Sequence, residues 1–153
     1  MKVLVMSDSH GDKSLVNKII CENLDARLII HLGDGERDME YAQFLNDDAK
    51  IVSVCGNCDM ASLLPFDCTL SAGELIFYCT HGHNAQVKSG ISQLLEIAKK
   101  HNADIVLYGH THRPVNDFKN GVHLFNPGSV KSGVYGHIIL CLHYAFLLFL
   151  KAD

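Results

Sequence analysis

Residues 1–12 read Met1-Lys-Val-Leu-Val-Met-Ser-Asp8-Ser-His10-Gly-Asp12, and the rest of the chain is organised around them. Lys2 to Met6 is a short apolar run of strand-forming residues, which predicts a buried β-strand. Asp8 and His10 follow where the strand passes into a loop, and both side chain types bind divalent metals. Alone, the stretch fits equally well a role for Asp8 and Ser9 in capping the next helix. Four later junctions between strand and loop also end in potential ligands and favour the metal.

The first half of the chain alternates strand and helix patterns. Apolar runs predict further strands at 27–32 and 50–55, and helical periodicity predicts a helix at 13–24 and another that includes Met39, Ala42, Phe44 and Leu45. Strands that alternate with helices are typical of a parallel sheet with helical crossovers.

The second half combines hairpins with one further crossover. Gly73 separates two strand-like runs, and Asn120-Gly121 is typical of a type I′ hairpin turn. Between them the pattern predicts a helix over 89–101 and a strand over 104–108. Asn126-Pro127-Gly128-Ser129 predicts a turn.

The tail, residues 138–150, is almost wholly apolar. A membrane-spanning helix needs about 20 residues, so this segment is too short to be one. It predicts instead the last strands of the sheet, with a bend near His143. No linker or repeat divides the chain, so we expect a single domain over residues 1–153.

Composition narrows the functional classes. The 153 residues carry a net charge of −4, which provides no basic field for gripping nucleic acid in bulk. The chain starts directly in a strand, without the zones of a signal peptide, and its six cysteines lie mostly in apolar runs. These features predict a cytoplasmic protein with free thiols.

Polar side chains follow five predicted strands. Loops at the carboxyl ends of parallel strands converge on one crevice, so these groups can meet. Two carboxylates, one amide and four imidazoles are too many for one ion and suit two ions that share a carboxylate. Nitrogen and oxygen ligands without thiolates favour Mn, Fe, Zn or Ni over Ca or Mg. The candidate metal ligands are Asp8, His10, Asp34, Asn57, His81, His110 and His112.

Two adjacent ions are suited to phosphoryl chemistry. Metals about 3.5–4 Å apart hold a bridging hydroxide as nucleophile and neutralise the charge of the attacked phosphate. Asp34 has two oxygens and follows a middle strand of the series, so it is the expected bridge.

The ordered set Asp8-x-His10, Gly33-Asp34 with Asp38, Gly56-Asn57 with Asp59, His81 and Gly109-His110-x-His112 resembles the calcineurin-like metallophosphoesterase superfamily. With Asn126-Pro127-Gly128-Ser129 it is similar to the small bacterial and archaeal phosphodiesterases of that superfamily. The resemblance implies a four-layer α/β sandwich, in which two mixed β-sheets pack together and helices cover the outer faces. It also implies a hydrolase that cleaves phosphodiester or activated aryl phosphate bonds.

By this resemblance, one ion would be held by Asp8, His10, Asp34 and His112, and the other by Asp34, Asn57, His81 and His110. Asp34, Asn57 and His110 would act in catalysis through the ions and the bridging hydroxide. Manganese is the expected metal, with iron, zinc or nickel as alternatives. Asp38 and Asp59 would orient the ligands.

Cys58 departs from a common superfamily pattern. Many members have His after Gly-Asn, where it is thought to protonate the leaving group, and a buried thiol is a poor proton donor beside imidazolium. Weak activity on alkyl monoesters and better activity on diesters or activated aryl esters are therefore expected.

Further residues have two open interpretations. Arg37 and Arg113 adjoin metal loops and could hold phosphate or only water, and His83 could touch substrate or solvent. His31 is expected to be a core histidine. Leu63, Leu64 and Phe66 could form a lip on the cleft or a contact in a homo-oligomer.

Two alternative functions compete with the enzyme. The same fold resembles the small retromer subunit, a protein-binding scaffold with a vestigial metal site, but here all seven ligand positions hold competent residues. The second alternative is a thiol or zinc protein built on Cys55-Gly-Asn-Cys58, which matches a C-x-x-C spacing. The sequence lacks a second such pair, and this function would leave the seven candidate metal ligands unexplained. We therefore expect a small phosphorylated substrate and no membrane partner.

Overall fold

The computed structural model describes residues 1–141 and 144–152. Within them the strands are β1 (Lys2–Met6), β2 (Ala26–His31), β3 (Lys50–Ser53), β4 (Asp67–Ala72), β5 (Leu75–Thr80), β6 (Ile105–Tyr108), β7 (Val115–Lys119), β8 (Val122–Asn126), β9 (Val134–Cys141) and β10 (Tyr144–Lys151). The α-helices are α1 (Lys13–Cys21), α2 (Ala42–Leu45) and α3 (Ser92–Lys100), with 3₁₀ turns at Glu36–Met39 and Val130–Ser132.

The strands form two mixed five-stranded sheets. The first has the order β10-β9-β1-β2-β3 and the second has the order β4-β5-β6-β8-β7. β1, β2 and β3 are parallel, as are β5, β6 and β8, while the remaining strands pair antiparallel at the sides. The predicted combination of crossovers and hairpins is confirmed.

The sheets pack face to face through an apolar core to which both contribute. Its members include Val3, Val5, Leu28, Ile30 and Ile138 from the first sheet and Phe77, Cys79, Ile105, Leu107 and Phe125 from the second. The alternate residues of β1 and β6 point away from this core, because successive side chains of a strand face opposite sides. The central strands are therefore apolar on both faces.

Helices cover the outer faces. Val16, Ile19 and Ile20 of α1 pack with Leu4 and Met6 of β1. On the other side of the molecule, Leu94 and Ala98 of α3 pack with Val106 and Tyr108 of β6. The molecule thus has the four layers expected from the resemblance.

The N-terminal cap of α1 decides whether Asp8 and Ser9 serve as helix caps. The Asp12 side chain accepts a hydrogen bond from Leu15 N–H (3.1 Å) and caps the helix. The alternative that Asp8 or Ser9 serves as the cap is wrong, so Asp8 is free for another role.

The chain between β2 and β3 was predicted less well than the rest. The expected helix is only a 3₁₀ turn followed by four residues of α2, and Phe44, expected on its apolar face, is 87% exposed. Helical periodicity alone cannot reveal that the loop around Gly35 occupies the first residues between β2 and β3 and so leaves little length for a helix.

The two hairpin predictions and the strand prediction for the tail are confirmed. Asn120 and Gly121 have φ values of 53° and 82°, as a type I′ turn requires. β9 pairs with β1, and β10 forms the edge of the first sheet, with Tyr144 and Phe146 exposed. The predicted bend near His143 lies outside the described residues. None of the helices in the described ranges is long and apolar enough to cross a membrane.

Phe77→Ala tests the core between the sheets. Phe77 is fully buried, so its truncation should lower the free energy of unfolding by about 3–5 kcal/mol in a urea titration. Phe44→Ala is the matched control, because this side chain is exposed and its loss should cost no more than about 0.5 kcal/mol. Equal losses in the two variants would contradict this assignment of the core.

Candidate metal centre

The seven predicted ligands gather at one edge of the sandwich. They follow the carboxyl ends of β1, β2 and β3 in the first sheet and of β5 and β6 in the second. Within residues 1–141 and 144–152, three groups of side chains lie close enough to share a metal ion: Asp8 with His10 and His112, Asp34 with His81 and His110, and His10 with Asp34 and Cys58.

The first ligand group is Asp8, His10 and His112. His112 Nε2 lies 3.0 Å from Asp8 Oδ1 and 3.2 Å from His10 Nε2. His10 Nε2 in turn lies 3.9 Å from Asp34 Oδ2. These four residues are the set that the resemblance implied for one ion.

The second ligand group is centred on His81. His81 Nε2 lies 3.4 Å from Asp34 Oδ2. The same nitrogen lies 3.2 Å from Asn57 Oδ1 and 3.2 Å from His110 Nδ1. These residues are the set implied for the other ion.

Asp34 joins the two groups through a single oxygen. Its Oδ2 faces both His10 and His81, while its Oδ1 accepts a hydrogen bond from Cys58 N–H (2.7 Å). Burial opposes ionisation of Asp34, but the hydrogen bonds from His81 and Cys58 outweigh it and hold the pKa of the carboxyl well below its usual range. Asp34 is therefore an anion at neutral pH, as a bridging ligand must be.

The arrangement fits cations. Asp8 Oδ1 is fully buried and accepts no hydrogen bond from the described part of the chain, although three imidazoles lie within 4.0 Å of it. Ligand atoms that share an ion at about 2.0–2.1 Å lie roughly 3–3.5 Å apart, and the closest pairs here lie at that spacing. A buried acceptor without a donor costs free energy, which a bound cation would offset.

The imidazoles are prepared unequally for a metal. His81 Nδ1 donates a hydrogen bond to Leu32 O (2.6 Å), which leaves Nε2 to face the group. Burial lowers the pKa of His81, but Asp34 and Asp8 outweigh burial and raise it. For His110, burial and the neighbouring His81 lower the pKa to about 4. His110 is thus already neutral at pH 7, whereas an ion must displace a proton held more tightly by His81.

Five of the seven ligands have left-handed backbone. Asp8, His10, Asp34, His110 and His112 have φ values between 47° and 67°. Each such residue costs about 1–3 kcal/mol and persists only where its surroundings hold it. This backbone conformation directs alternate side chains, Asp8 with His10 and His110 with His112, to the same site, and the neighbouring glycines are the signal of it in the sequence.

Two of those glycines are needed for close packing. A Cβ on Gly56 would overlap Asp34 Oδ1, and one on Gly109 would overlap Ser7 Oγ. Without a side chain at Gly56, the loops that follow β2 and β3 in the first sheet can approach one another, and without one at Gly109, the loop that follows β6 can approach the end of β1 in the other sheet.

Asp59 holds the backbone on which Asp34 sits. Its carboxylate accepts hydrogen bonds from the N–H groups of four residues at 2.7–3.0 Å: Asp34, Gly35, Glu36 and Gly56. Burial opposes its charge, but these four donors outweigh burial and lower the pKa of Asp59. The side chain thus fixes the Asp34 loop against the Asn57 loop.

Asp38 fixes the other loop of the first sheet. Its Oδ2 accepts hydrogen bonds from Ser9 Oγ (2.6 Å) and Gly11 N–H (2.9 Å), on either side of His10. His31 is fully buried, as expected for a core histidine, and its Nε2 lies 3.1 Å from Ser9 Oγ.

The Asn126–Ser129 turn has a positioning role that our reading of the sequence missed. Ser129 Oγ donates a hydrogen bond to Asp8 O (2.8 Å), and Asn126 Nδ2 donates one to Gly109 O (2.9 Å). The Asn126-Pro127-Gly128-Ser129 motif was visible in the sequence, but the residues to which it binds were not. Asp8 lies 121 residues from Ser129, and Gly109 lies 17 residues from Asn126.

The residues that were predicted to contact substrate do not all line the same cavity. A cavity of about 440 Å³ beside the ligands is lined by Arg37, Cys58 and Met60, together with His10, Gly11, Asp34, Gly35, Glu36, Asp38 and Asp59. Arg113 instead lines a different cavity. His83 packs against the rings of His81 and His110. Of the predicted lip, Leu63 is 99% exposed.

The model of the calcineurin-like phosphoesterase superfamily domain matches residues 1–145. Together with the two ligand groups at the edge of a sheet sandwich, this match settles the class, and the chain belongs to the calcineurin-like phosphoesterase superfamily.

Relatives from bacteria and archaea support the small subfamily. The probable metallophosphoesterase YsnB of Bacillus subtilis is 30% identical over 132 residues, which cover 86% of this chain and 76% of the relative. Phosphodiesterase MJ0936 of Methanocaldococcus jannaschii is 30% identical over 147 residues, with 84% and 83% covered.

Solved structures give the same fold. A predicted phosphoesterase from Streptococcus pneumoniae superposes with a TM-score of 0.83 at 26% identity, covering 98% of this chain and 88% of that one. Vps29 of Entamoeba histolytica, in a complex with Zn²⁺, has a TM-score of 0.78 at 16% identity, with 99% of each chain covered. At that identity the Vps29 likeness concerns the fold alone.

Asp59→Asn tests the support of the Asp34 loop. The substitution removes the charge that four N–H groups share, so affinity for Mn²⁺ should fall roughly 10- to 100-fold, measured by calorimetric titration. Asp48→Asn, at an exposed carboxylate paired with Arg27, is the control and should bind Mn²⁺ like the unmodified chain. Unchanged affinity in Asp59→Asn would rule out this role.

Proposed function

We propose that the protein is a dinuclear-metal-dependent phosphodiesterase. The observation that carries this proposal is the sharing of Asp34 Oδ2 between two groups of ligands, with all seven ligand positions occupied by competent side chains. Two bound divalent ions would lower the pKa of water for attack on phosphorus and neutralise the charge of the phosphate. The mixed nitrogen and oxygen ligands support manganese, with iron, zinc or nickel as alternatives.

The chain's own residues would bind and orient the substrate. Asp34 keeps its charge in the centre, and Asn57 and His110 complete the second ligand group. Arg37 lines the same cavity and can direct its guanidinium to phosphate oxygens. A small phosphorylated molecule is the proposed substrate, since the cavity is about 440 Å³.

Cys58 supports a preference for diesters and activated esters. The expectation that its thiol is buried is wrong, because Cys58 is exposed and lines the cavity. Burial of part of the side chain and the nearby Asp34 nevertheless raise the pKa of the thiol. It is therefore a weaker acid than an imidazolium, and leaving groups that need little protonation are favoured.

The alternative function, a protein-binding scaffold with a vestigial metal site, receives support from the Vps29 structures at the level of the fold. The completeness of the ligand set argues for the enzyme. Two metals per chain with turnover would exclude the scaffold as the sole function, whereas a folded chain that binds no metal would favour it.

Asp34→Asn tests the enzyme. Loss of the shared carboxylate should lower hydrolysis of an aryl phosphodiester with Mn²⁺ by roughly 10³-fold, while the unfolding midpoint shows a folded protein. Asp48→Asn again provides the control with equal charge change. Full turnover by Asp34→Asn, with two ions per chain measured by elemental analysis, would refute the proposal.

Cys58→His tests the preference for diesters. An imidazole at this exposed position should raise hydrolysis of an alkyl phosphomonoester roughly tenfold or more, because a positioned general acid typically contributes about 10²- to 10⁴-fold. Cys58→Ser removes the thiol without adding an imidazole and should leave monoester hydrolysis low. The proposed role of Cys58 fails if both variants treat the monoester alike.

A further inference from the structure

A second cavity, of about 400 Å³, lies next to the metal centre and is not used by the proposed reaction. Val87, Tyr108 and Val115, which belong to the apolar cluster beneath α3, form its walls. Its other lining residues are Lys88, Thr111 and Arg113. The cavity therefore joins an apolar wall to two cationic side chains.

The loop after β6 connects this cavity with the metal centre. His110 and His112 belong to the two ligand groups, while the alternate residues Thr111 and Arg113 line the cavity. Lys88 is near enough to contribute to the lowered pKa of His110. A molecule bound at the ligand groups thus has this cavity as its neighbour.

The cavity contains hydrogen-bond donors without partners. The Tyr108 residue is 3% exposed, and its hydroxyl, which makes no hydrogen bond to any described residue, is not among the buried unpartnered atoms and therefore reaches the solvent in the cavity. Neither Lys88 nor Arg113 forms an ion pair within the described ranges.

The nearby acid does not neutralise these cations. Asp117 acts on Tyr108 electrostatically, but its carboxylate is paired with Lys119 Nζ at 2.8 Å. Thr111 Oγ1 is also engaged, since it accepts hydrogen bonds from Arg113 N–H (3.3 Å) and Asn126 Nδ2 (3.2 Å). The available groups are two cations and one hydroxyl, and together they lack an anion.

We propose that this cavity is a binding site for a phosphate-type oxyanion. The Arg113 guanidinium can donate two parallel hydrogen bonds to such a group, Lys88 supplies a point charge, and the Tyr108 hydroxyl donates a third hydrogen bond. The anion is either a second phosphate group on the substrate or free inorganic phosphate. Only the first source rests on the proposed function, because the site itself requires no turnover.

Equilibrium dialysis with radiolabelled inorganic phosphate tests the site in the full chain saturated with Mn²⁺. The unmodified chain should bind two phosphates, one at the metal centre and one in the cavity. Arg113→Ala and Lys88→Ala should bind one fewer, because loss of a charged hydrogen-bond donor weakens binding by about tenfold or more. Tyr108→Phe, which removes only the hydroxyl, should weaken the cavity site roughly fivefold.

Arg27→Ala is the matched control, since Arg27 pairs with Asp48 away from the cavity, and it should bind phosphate like the unmodified chain. If the metal centre does not bind phosphate, the unmodified chain should bind one phosphate and Arg113→Ala none. Failure of the proposed function is thereby separated from failure of this site. Equal phosphate binding by the unmodified chain, Arg113→Ala and Lys88→Ala would overturn the proposal.

A second comparison identifies the source of the anion. The ratio of kcat/KM for an aryl diester that carries a terminal phosphate to that for the same diester without it should fall about tenfold in Arg113→Ala if the cavity binds the substrate. An unchanged ratio, together with the loss of one bound phosphate, would assign the cavity to free phosphate.

Discussion

The site depends on hydrogen bonds that join the two sheets. His81, from the second sheet, donates a hydrogen bond to Leu32 O of the first at 2.6 Å, and His110 N–H donates one to Asp8 Oδ2 at 3.0 Å. The group of Asp8, His10 and His112 and the group of Asp34, His81 and His110 each contain residues that follow strands of both sheets. The ligands therefore meet only when the sheets pack in one relative position, which the apolar core between them sets. Core packing and site geometry are in this sense one constraint.

The arrangement of the site contains several features that each cost free energy. Five candidate ligands have left-handed backbone, Asp8 Oδ1 has no hydrogen-bond donor among the residues that the structure describes, and several imidazoles face one another. Such features persist where the surroundings determine them, and here Asp38, Asp59 and the Asn126–Ser129 turn supply the determining hydrogen bonds. Cations would stabilise the same arrangement by satisfying the carboxylates and imidazole nitrogens together.

Short sequence patterns predicted those structural features that depend on neighbouring residues. The Asn120-Gly121 turn and the central strands followed from short-range rules, and the gathering of the seven candidate ligands at one edge followed from their positions at strand ends. The short α2, with Phe44 exposed, was not predicted, because helical periodicity does not register that the distant Asp59 accepts hydrogen bonds from the N–H groups of residues 34–36, just before the 3₁₀ turn. The separation of Arg37 from Arg113 and the tie between Ser129 and Asp8 depend on contacts that are distant in sequence.

The pairing of β1 with β9 determines when the molecule can be completed during synthesis. β1 precedes the other described strands and occupies the middle of its sheet, yet Lys2 pairs with Ile139, so one edge of β1 stays open until β9 has been made. Contacts of such separation carry a high cost of loop closure and slow folding. Asp8 likewise meets His110 and His112 only late. The seven candidate ligands can therefore come together only after the loop that follows β6 has been made, and a shorter emerging chain lacks the complete set.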